Sequence, residues 1–157
     1  GYIEKGLGRR LDPTLLLRGL RSLITLAFPY RPPAAAPDPD WRAALRGRVA
    51  AYAAGPDYHR VVLARLDAVG AAIAELAPGA RTLTYVDTGA ILEREWANLG
   101  GLGWFGKNTM LLHRVHGSWF FLGEILTDLE LSPAPMVADH CGTCRRCLND
   151  CPTGALA

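Results

Sequence analysis

Val62, Leu66, Val69, Ile73 and Leu76 recur in alternating steps of four and three. That spacing lays one apolar stripe along a helix. The helix is expected to open at Asp57, and Pro78-Gly79 ends it. Ser22–Phe28 is a short, apolar, partly β-branched run, which predicts a buried strand. Thr82–Val86 predicts a second strand, left through the turn Asp87-Thr88-Gly89. Residues Ala90–Leu99 follow as a second helix closed by Gly100-Gly101. From Phe105 to Leu126, two apolar and aromatic runs flank His113–Gly117, which predicts a β-hairpin. Nearer the start, Asp12-Pro13 combines an N-cap with a proline at the first helical position. A short helix through Leu15, Leu16 and Leu17 should follow and end near Gly19. Pro29–Asp40 holds five prolines, which excludes helix and central strand and leaves a long loop of the functional kind. Arg48–Ala54 fits strand or helix equally. The sum is an α/β fold, a mixed α+β sheet domain over residues 1–132. A cysteine-bearing segment, 133–157, follows the Pro133–Pro135 linker.

Composition narrows the class only a little. A chain of 157 residues, 50% apolar and 20% charged, can bury a real core. A net charge of +2 is too small to imply nucleic-acid binding by itself. Lys5 and Lys107 are the only lysines, and the arginines are scattered rather than clustered, so they read as compositional bias. No run approaches the 18 or so apolar residues that span a bilayer. Arg9-Arg10 hints at a twin-arginine export signal, but Asp12-Pro13, Arg18 and Arg21 break the apolar stretch it would need. The expectation is a cytoplasmic, monomeric protein that does not engage a membrane.

The four cysteines change the picture. Cys141, Cys144, Cys147 and Cys151-Pro152 form C-x-x-C-x-x-C-x-x-x-C-P, the bacterial ferredoxin spacing for a 4Fe–4S cluster. In a chain without an evident export signal such crowding argues for metal rather than disulfides. Zinc is the rival, but structural zinc usually draws on two separated ligand pairs. By the ferredoxin rule the first three thiolates hold one cluster and Cys151 serves a second. Ligation of one cluster by all four is the other arrangement. Two clusters need more thiolates than the chain supplies, so it is expected to be the N-terminal part of a longer protein.

Other residues carry chemistry with less specificity. Asp87 sits where a strand gives way to a Thr-Gly turn, so its carboxyl can face a cleft and serve as a general acid if burial raises its pKa. It can equally cap the following helix. Gly101, Gly103 and Gly106 resemble a nucleotide fingerprint, but no strand precedes them, and close approach to a flat cofactor accounts for them better. Lys107 and Asn108 follow directly, and Lys107 can pair with a cofactor's phosphate or amide edge or remain a solvated turn residue. His59 is either a cofactor contact or a structural helix-start residue. Trp104, Trp119, Phe120 and Phe121 read as core rather than as cofactor-stacking groups.

Three segments, Tyr85–Arg94, Gly101–Thr109 and Gly117–Asp128, resemble the epoxyqueuosine reductase family as an ordered set. Asp57-Tyr58-His59 and Asp12-Pro13 fit the same family. The resemblance implies cobalamin held without a protein ligand on its lower face, beside two 4Fe–4S clusters. It also implies reduction of an epoxide on a modified base of tRNA, with electrons from an external donor. In that reading Asp87 is catalytic and protonates the epoxide oxygen. His59, Asp87, Gly106, Lys107 and Asn108 contact the cofactor, and Cys141, Cys144, Cys147 and Cys151 ligate iron. A second cysteine run and a helical-repeat tail belonging to the family are absent from the sequence. Two alternatives stay open: a corrinoid reductase of the reductive dehalogenase type and a small iron–sulfur electron carrier.

Overall fold

A computed structural model describes residues 2–30 and 49–156. The described elements run α1 (Tyr2–Leu11), a 3-10 turn (Pro13–Leu15), β1 (Ser22–Pro29), a 3-10 turn (Ala51–Ala53), α2 (Tyr58–Leu76), β2 (Thr82–Tyr85), α3 (Glu93–Leu99), β3 (Trp104–Phe105), β4 (Leu111–Leu112), β5 (Phe120–Thr127) and α4 (Arg146–Asn149). The main sheet has the order β1-β5-β2, and β5 runs antiparallel to both neighbours. This is the mixed α/β architecture expected from the pattern. Pro29 is tolerated because it ends an edge strand, where a missing N–H breaks no inner ladder.

The core lies between α2 and one face of the sheet. Val62, Leu66, Val86 and Ile125 are buried together, with Ile24, Leu26, Phe28 and Ile73 packed around them. Alternation along β5 sends Gly123 and Ile125 toward α2 and Glu124 to the opposite face, where α3 packs. The buried stripe of α2 is Val62, Leu66 and Gly70, a pure step of four. Val69 and Leu76, read as part of the stripe, are 39% and 87% exposed. The small Gly70 sits over Thr82, so contact there falls one position beyond Val69.

Several local expectations are corrected. The 3-10 turn at Pro13–Leu15 replaces the short helix, although Asp12 does cap it by accepting the Thr14 N–H. The ten-residue α1 before it was not foreseen. Arg48–Ala54 contributes only the turn at Ala51–Ala53. The second helix begins at Glu93, not Ala90. The hairpin between 105 and 126 is smaller than expected, pairing Trp104–Phe105 with Leu111–Leu112. His113 and Gly117 form a single bridge, and the second aromatic run leaves to become the central strand β5. Most of the proline-rich loop, from residue 31, lies outside the described residues. Among the described residues no helix is long and apolar enough to cross a membrane.

A methyl group at Gly123 would lie 2.8 Å from Leu66 Cδ1 and 3.0 Å from Val62 Cγ1. Gly123→Ala should therefore overpack the contact between α2 and β5, destabilising the fold by about 1–3 kcal/mol. Chemical denaturation measures this, and an unchanged midpoint would show that the helix is free to move away.

Candidate functional site

Where β2 ends, the chain turns through Asp87, whose φ of 55° lies in the left-handed region. Such a backbone costs a non-glycine residue about 1–3 kcal/mol, and aspartate tolerates it better than most. Thr88 N–H donates to Val86 O at 2.5 Å and closes a three-residue turn with Asp87 at its centre. Gly89 is needed next, because a Cβ there would lie 2.3 Å from the Tyr85 ring.

The turn brings the Asp87 carboxyl to the start of α2. Tyr58 OH donates to Oδ2 at 2.5 Å, and His59 Nε2 lies 3.3 Å from the same oxygen. His59 Nδ1 lies 2.8 Å from Asp57 Oδ1, the oxygen that also caps α2 by accepting the His59 N–H at 3.0 Å. The imidazole is thus bracketed by two carboxylates. Its hydrogen bond to Asp57, helped by that to Asp87, raises its pKa above the usual value despite some loss of solvation. The same bond holds Asp57 below the usual carboxylate range. Burial and the bond to Asp87 push the Tyr58 hydroxyl upward. Rings stack behind this corner, with Tyr30 on Phe121 at 4.5 Å, Phe121 on Tyr58 at 4.2 Å and Tyr58 on His59 at 4.0 Å. Beside the stack opens a cleft of about 430 Å³ whose walls include Tyr30, Tyr52, Tyr58, Phe121 and Arg65.

Asp87 does not cap α3. The N-cap is Leu92, which makes no side-chain capping bond, and the Asp87 backbone N–H instead donates to Glu93 Oε1. The carboxyl is 57% exposed, so the described residues do not supply the burial anticipated for it. Glu93 is half-buried, and desolvation raises its pKa. Behind it stands Glu124 on β5, fully buried, its carboxyl reached by no N–H or hydroxyl donor among the described residues and hydrogen-bonded only across to the Glu93 carboxyl. Burial, and then the negative charge of Glu93, push Glu124 up to about 9. A glutamate inside the apolar run Phe120–Thr127 was the available signal for this pair.

A second group of contacts surrounds the turn after β3. Gly106 N–H donates to Met110 O at 2.9 Å, and Asn108 Oδ1 accepts from Met110 N at 3.2 Å. The close approach expected at the glycines is made by the chain itself. A Cβ at Gly103 would lie 2.1 Å from Leu112 O, one at Gly106 2.6 Å from Asn108 Oδ1, and one at Gly101 2.4 Å from Pro135 O. Lys107 is exposed on the turn but not without partners. Its ammonium donates to Gly142 O at 2.7 Å and Cys144 O at 2.9 Å, tying the cysteine segment to the turn. Trp104 adds an edge contact to His140, with ring centroids 4.9 Å apart. Arg94, next to Glu93, donates to Thr109 O at 3.0 Å.

All four cysteines are free thiols. Cys144 N–H donates to Cys141 O at 2.9 Å, and α4 carries Cys147. Hydrogen bonds from the backbone at Leu156 and from Thr153 hold the Cys151 thiol down to about 7. Among the described residues no three His, Cys, Asp or Glu side chains are grouped to hold a metal ion. The structure therefore brings His59 to Asp87, and Lys107 to the cysteine segment, as two groups of contacts. Among the described residues, α3 makes hydrogen bonds to both.

Comparison with known proteins gives one consistent result. The epoxyqueuosine reductase of Gloeobacter violaceus is 44% identical over 148 residues, covering 94% of this chain and 45% of its own length. The structure of epoxyqueuosine reductase from Streptococcus thermophilus superposes with a TM-score of 0.82 at 33% identity, over 96% of this chain and 40% of that one. A structure of epoxyqueuosine reductase with an epoxyqueuosine-modified tRNA-Tyr stem loop superposes at 0.77 with 32% identity and the same coverage. The Bacillus subtilis enzyme, with its catalytic aspartate loop swung out of the active site, does so at 0.77 with 30% identity, again over 96% and 40%. The chain thus spans under half the length of these relatives. A family model described as epoxyqueuosine reductase QueG, DUF1730, matches residues 10–88, half of the sequence, and on that match the chain belongs to the epoxyqueuosine reductase family.

Proposed function

We propose that the protein reduces epoxyqueuosine in tRNA to queuosine, and that this chain supplies its acid–base corner and its first cluster-binding segment. The observation that carries the reading is the convergence of Tyr58, His59 and the Glu93-held turn on Asp87, in a family whose relatives carry this activity. Residues 1–132 form the cobalamin and catalytic domain, and 133–157 begin a ferredoxin-like segment. The remaining cluster ligands come from chain beyond this sequence, electrons come from an external donor, and the setting is the cytoplasm.

Both groups that the family implies fit residues present here. Four reduced thiols at ferredoxin spacing suit iron–sulfur ligation, with Cys141, Cys144 and Cys147 on one cluster and Cys151 toward a second. The open aromatic cleft suits the apolar face of a corrin, and His59, Asp87, Gly106, Lys107 and Asn108, which lie outside its walls, are the residues that the family implies would contact the cofactor. When bound, cobalamin and the clusters supply the nucleophile and the reducing electrons, chemistry that no side chain offers.

What remains for the protein is position and protons. An epoxide becomes an alkene and water by taking up two electrons and two protons. Its oxygen gains charge as the carbon–oxygen bonds break, and Asp87 is the group placed to protonate it. His59, held between carboxylates and favouring its charged form, can restock Asp87 through the 3.3 Å contact. Lys107 uses two of its three N–H groups on the cysteine segment and keeps one for the cofactor.

Three outcomes test this reading in the full-length protein. Asp87→Asn can still accept the Tyr58 hydrogen bond but cannot give up a proton, so single-turnover reduction should fall about 10²–10⁴-fold with fold and cofactors kept. Wild-type rates would end the case for Asp87 as acid. The raised pKa of His59 fixes the sign of the pH dependence: its proton is fully present below the ordinary histidine range and is lost as pH rises through the raised value. Single-turnover rate should decline on that alkaline side, and His59→Gln should be slower with no such decline. An identical profile in the variant removes His59 from proton supply. Finally, Lys107→Ala should lower both iron content and cobalamin affinity, since a charge-assisted contact is worth about 1–3 kcal/mol. Falling iron with an unchanged cobalamin dissociation constant would reduce Lys107 to a tie on the cysteine segment.

A further inference from the structure

Three carboxyl groups crowd the end of β2, and the reaction described above uses only one of them. Asp87 meets Tyr58, a wall of the cleft, whereas Glu93 and Glu124 stand on α3 and β5. Glu124 is the anomaly. It occupies the middle of the central strand, paired in register with Thr25 and Tyr85, and exposes none of its surface. No N–H or hydroxyl donor among the described residues reaches its oxygens, and its hydrogen-bonding neighbour is the Glu93 carboxyl. An apolar side chain would pack there at less cost, because a buried carboxyl facing only another carboxyl is strongly disfavoured. Glu93 shows the matching asymmetry, since it receives the backbone N–H of Asp87, a non-glycine residue held in the left-handed region.

We propose that Glu93 and Glu124 are positioning residues, a carboxylate and a carboxylic acid that hold one negative charge between them and so latch the Asp87 turn through its N–H. A carboxylate is a much stronger acceptor of that N–H than a neutral oxygen. Two carboxylates side by side beneath the carboxylate of Asp87 would repel each other and the turn. Keeping the deeper acid neutral removes the repulsion and leaves the latch its charge. The groups facing the pair are consistent with this division. Tyr85 on β2 lies in register with Glu124, Asp87 stands on the turn, and Arg10 on α1 favours the charged form of Glu93. The upward shift of Glu124 to about 9 adds support to the geometry. The consequence for rate rests on Asp87 being the acid proposed above, but the latch itself does not.

Hydrogen–deuterium exchange of residues 86–92 in the full-length protein reads the latch directly. Glu93→Ala should exchange there about tenfold faster than wild type at pH 7, the loss expected for one charge-assisted hydrogen bond. Glu93→Gln, which retains an oxygen acceptor, should recover part of that protection. In single turnover, Glu93→Ala should lower kcat far more than it alters KM for tRNA. Raising the pH through about 9 should ionise Glu124 in the wild type and loosen the same segment, after correction for intrinsic exchange. Glu124→Gln stays neutral and should keep its protection across that range. Unchanged exchange in Glu93→Ala, or the same alkaline loosening in Glu124→Gln, would overturn the proposal. If Glu93→Ala fails to fold, the comparison of wild type with Glu124→Gln decides alone. A silent Asp87→Asn beside a confirmed latch would refute the acid and leave the latch standing.

Discussion

The first turn of α3 is the contact on which the candidate site depends. Glu93 accepts the Asp87 N–H, and the adjacent Arg94 donates to Thr109 O. Both target loops contain a non-glycine residue with positive φ, Asp87 at 55° and Thr109 at 64°. Left alone, such loops would relax toward commoner backbone angles. Two neighbouring side chains, Glu93 and Arg94, hold them instead, one loop bearing Asp87 and the other bearing Lys107. Since Lys107 reaches the cysteine segment, a single helical turn is connected to both groups of contacts.

The electrostatics of the corner follow from the sheet. Antiparallel pairing on both sides makes β5 the most buried strand, and its period of two sends Glu124 away from the apolar core on α2. A carboxyl so placed cannot ionise at little cost, so it stays neutral and leaves Glu93 as the charged member. On the other side of Asp87, His59 lies between two carboxylates and favours its proton. Asp87 thus has an imidazole that favours its proton in front and the Glu93 carboxyl on its backbone N–H behind. The hydroxyl of Tyr58 donates to the same Asp87 oxygen that the imidazole faces.

Local pattern was enough for α2, β1 and β2, because each is written in contiguous residues with recognisable ends. It failed where pairing is distant. The aromatic run that became β5 has the composition of a hairpin arm, yet its partners are strands that begin at Ser22 and Thr82. The same limit governs the site. Asp87 was marked by its position in a strand-to-turn sequence, but a capping role stayed open until its carboxyl was seen on Tyr58, 29 residues earlier, and Leu92 at the N-cap of α3. Lys107 was marked by its rarity, whereas its partners lie 35 and 37 residues further on. The glycines around it were read as close approaches to a flat cofactor, whereas the atoms nearest them in the structure belong to the hairpin and the linker. Glu124 stood out only as a charge in an apolar run, and nothing in its neighbourhood of sequence pointed to Glu93.

In the proposed function, an acid corner and a cluster-binding segment, tied through α3 and Lys107, serve a protein that carries both a corrin and iron–sulfur clusters. Anaerobic purification of the full-length protein, with an optical spectrum and iron and cobalt analysis, tests it most directly. Corrin bands are expected together with broad iron–sulfur absorption that bleaches on reduction. A colourless, redox-silent protein, or one carrying zinc in place of iron, would contradict it.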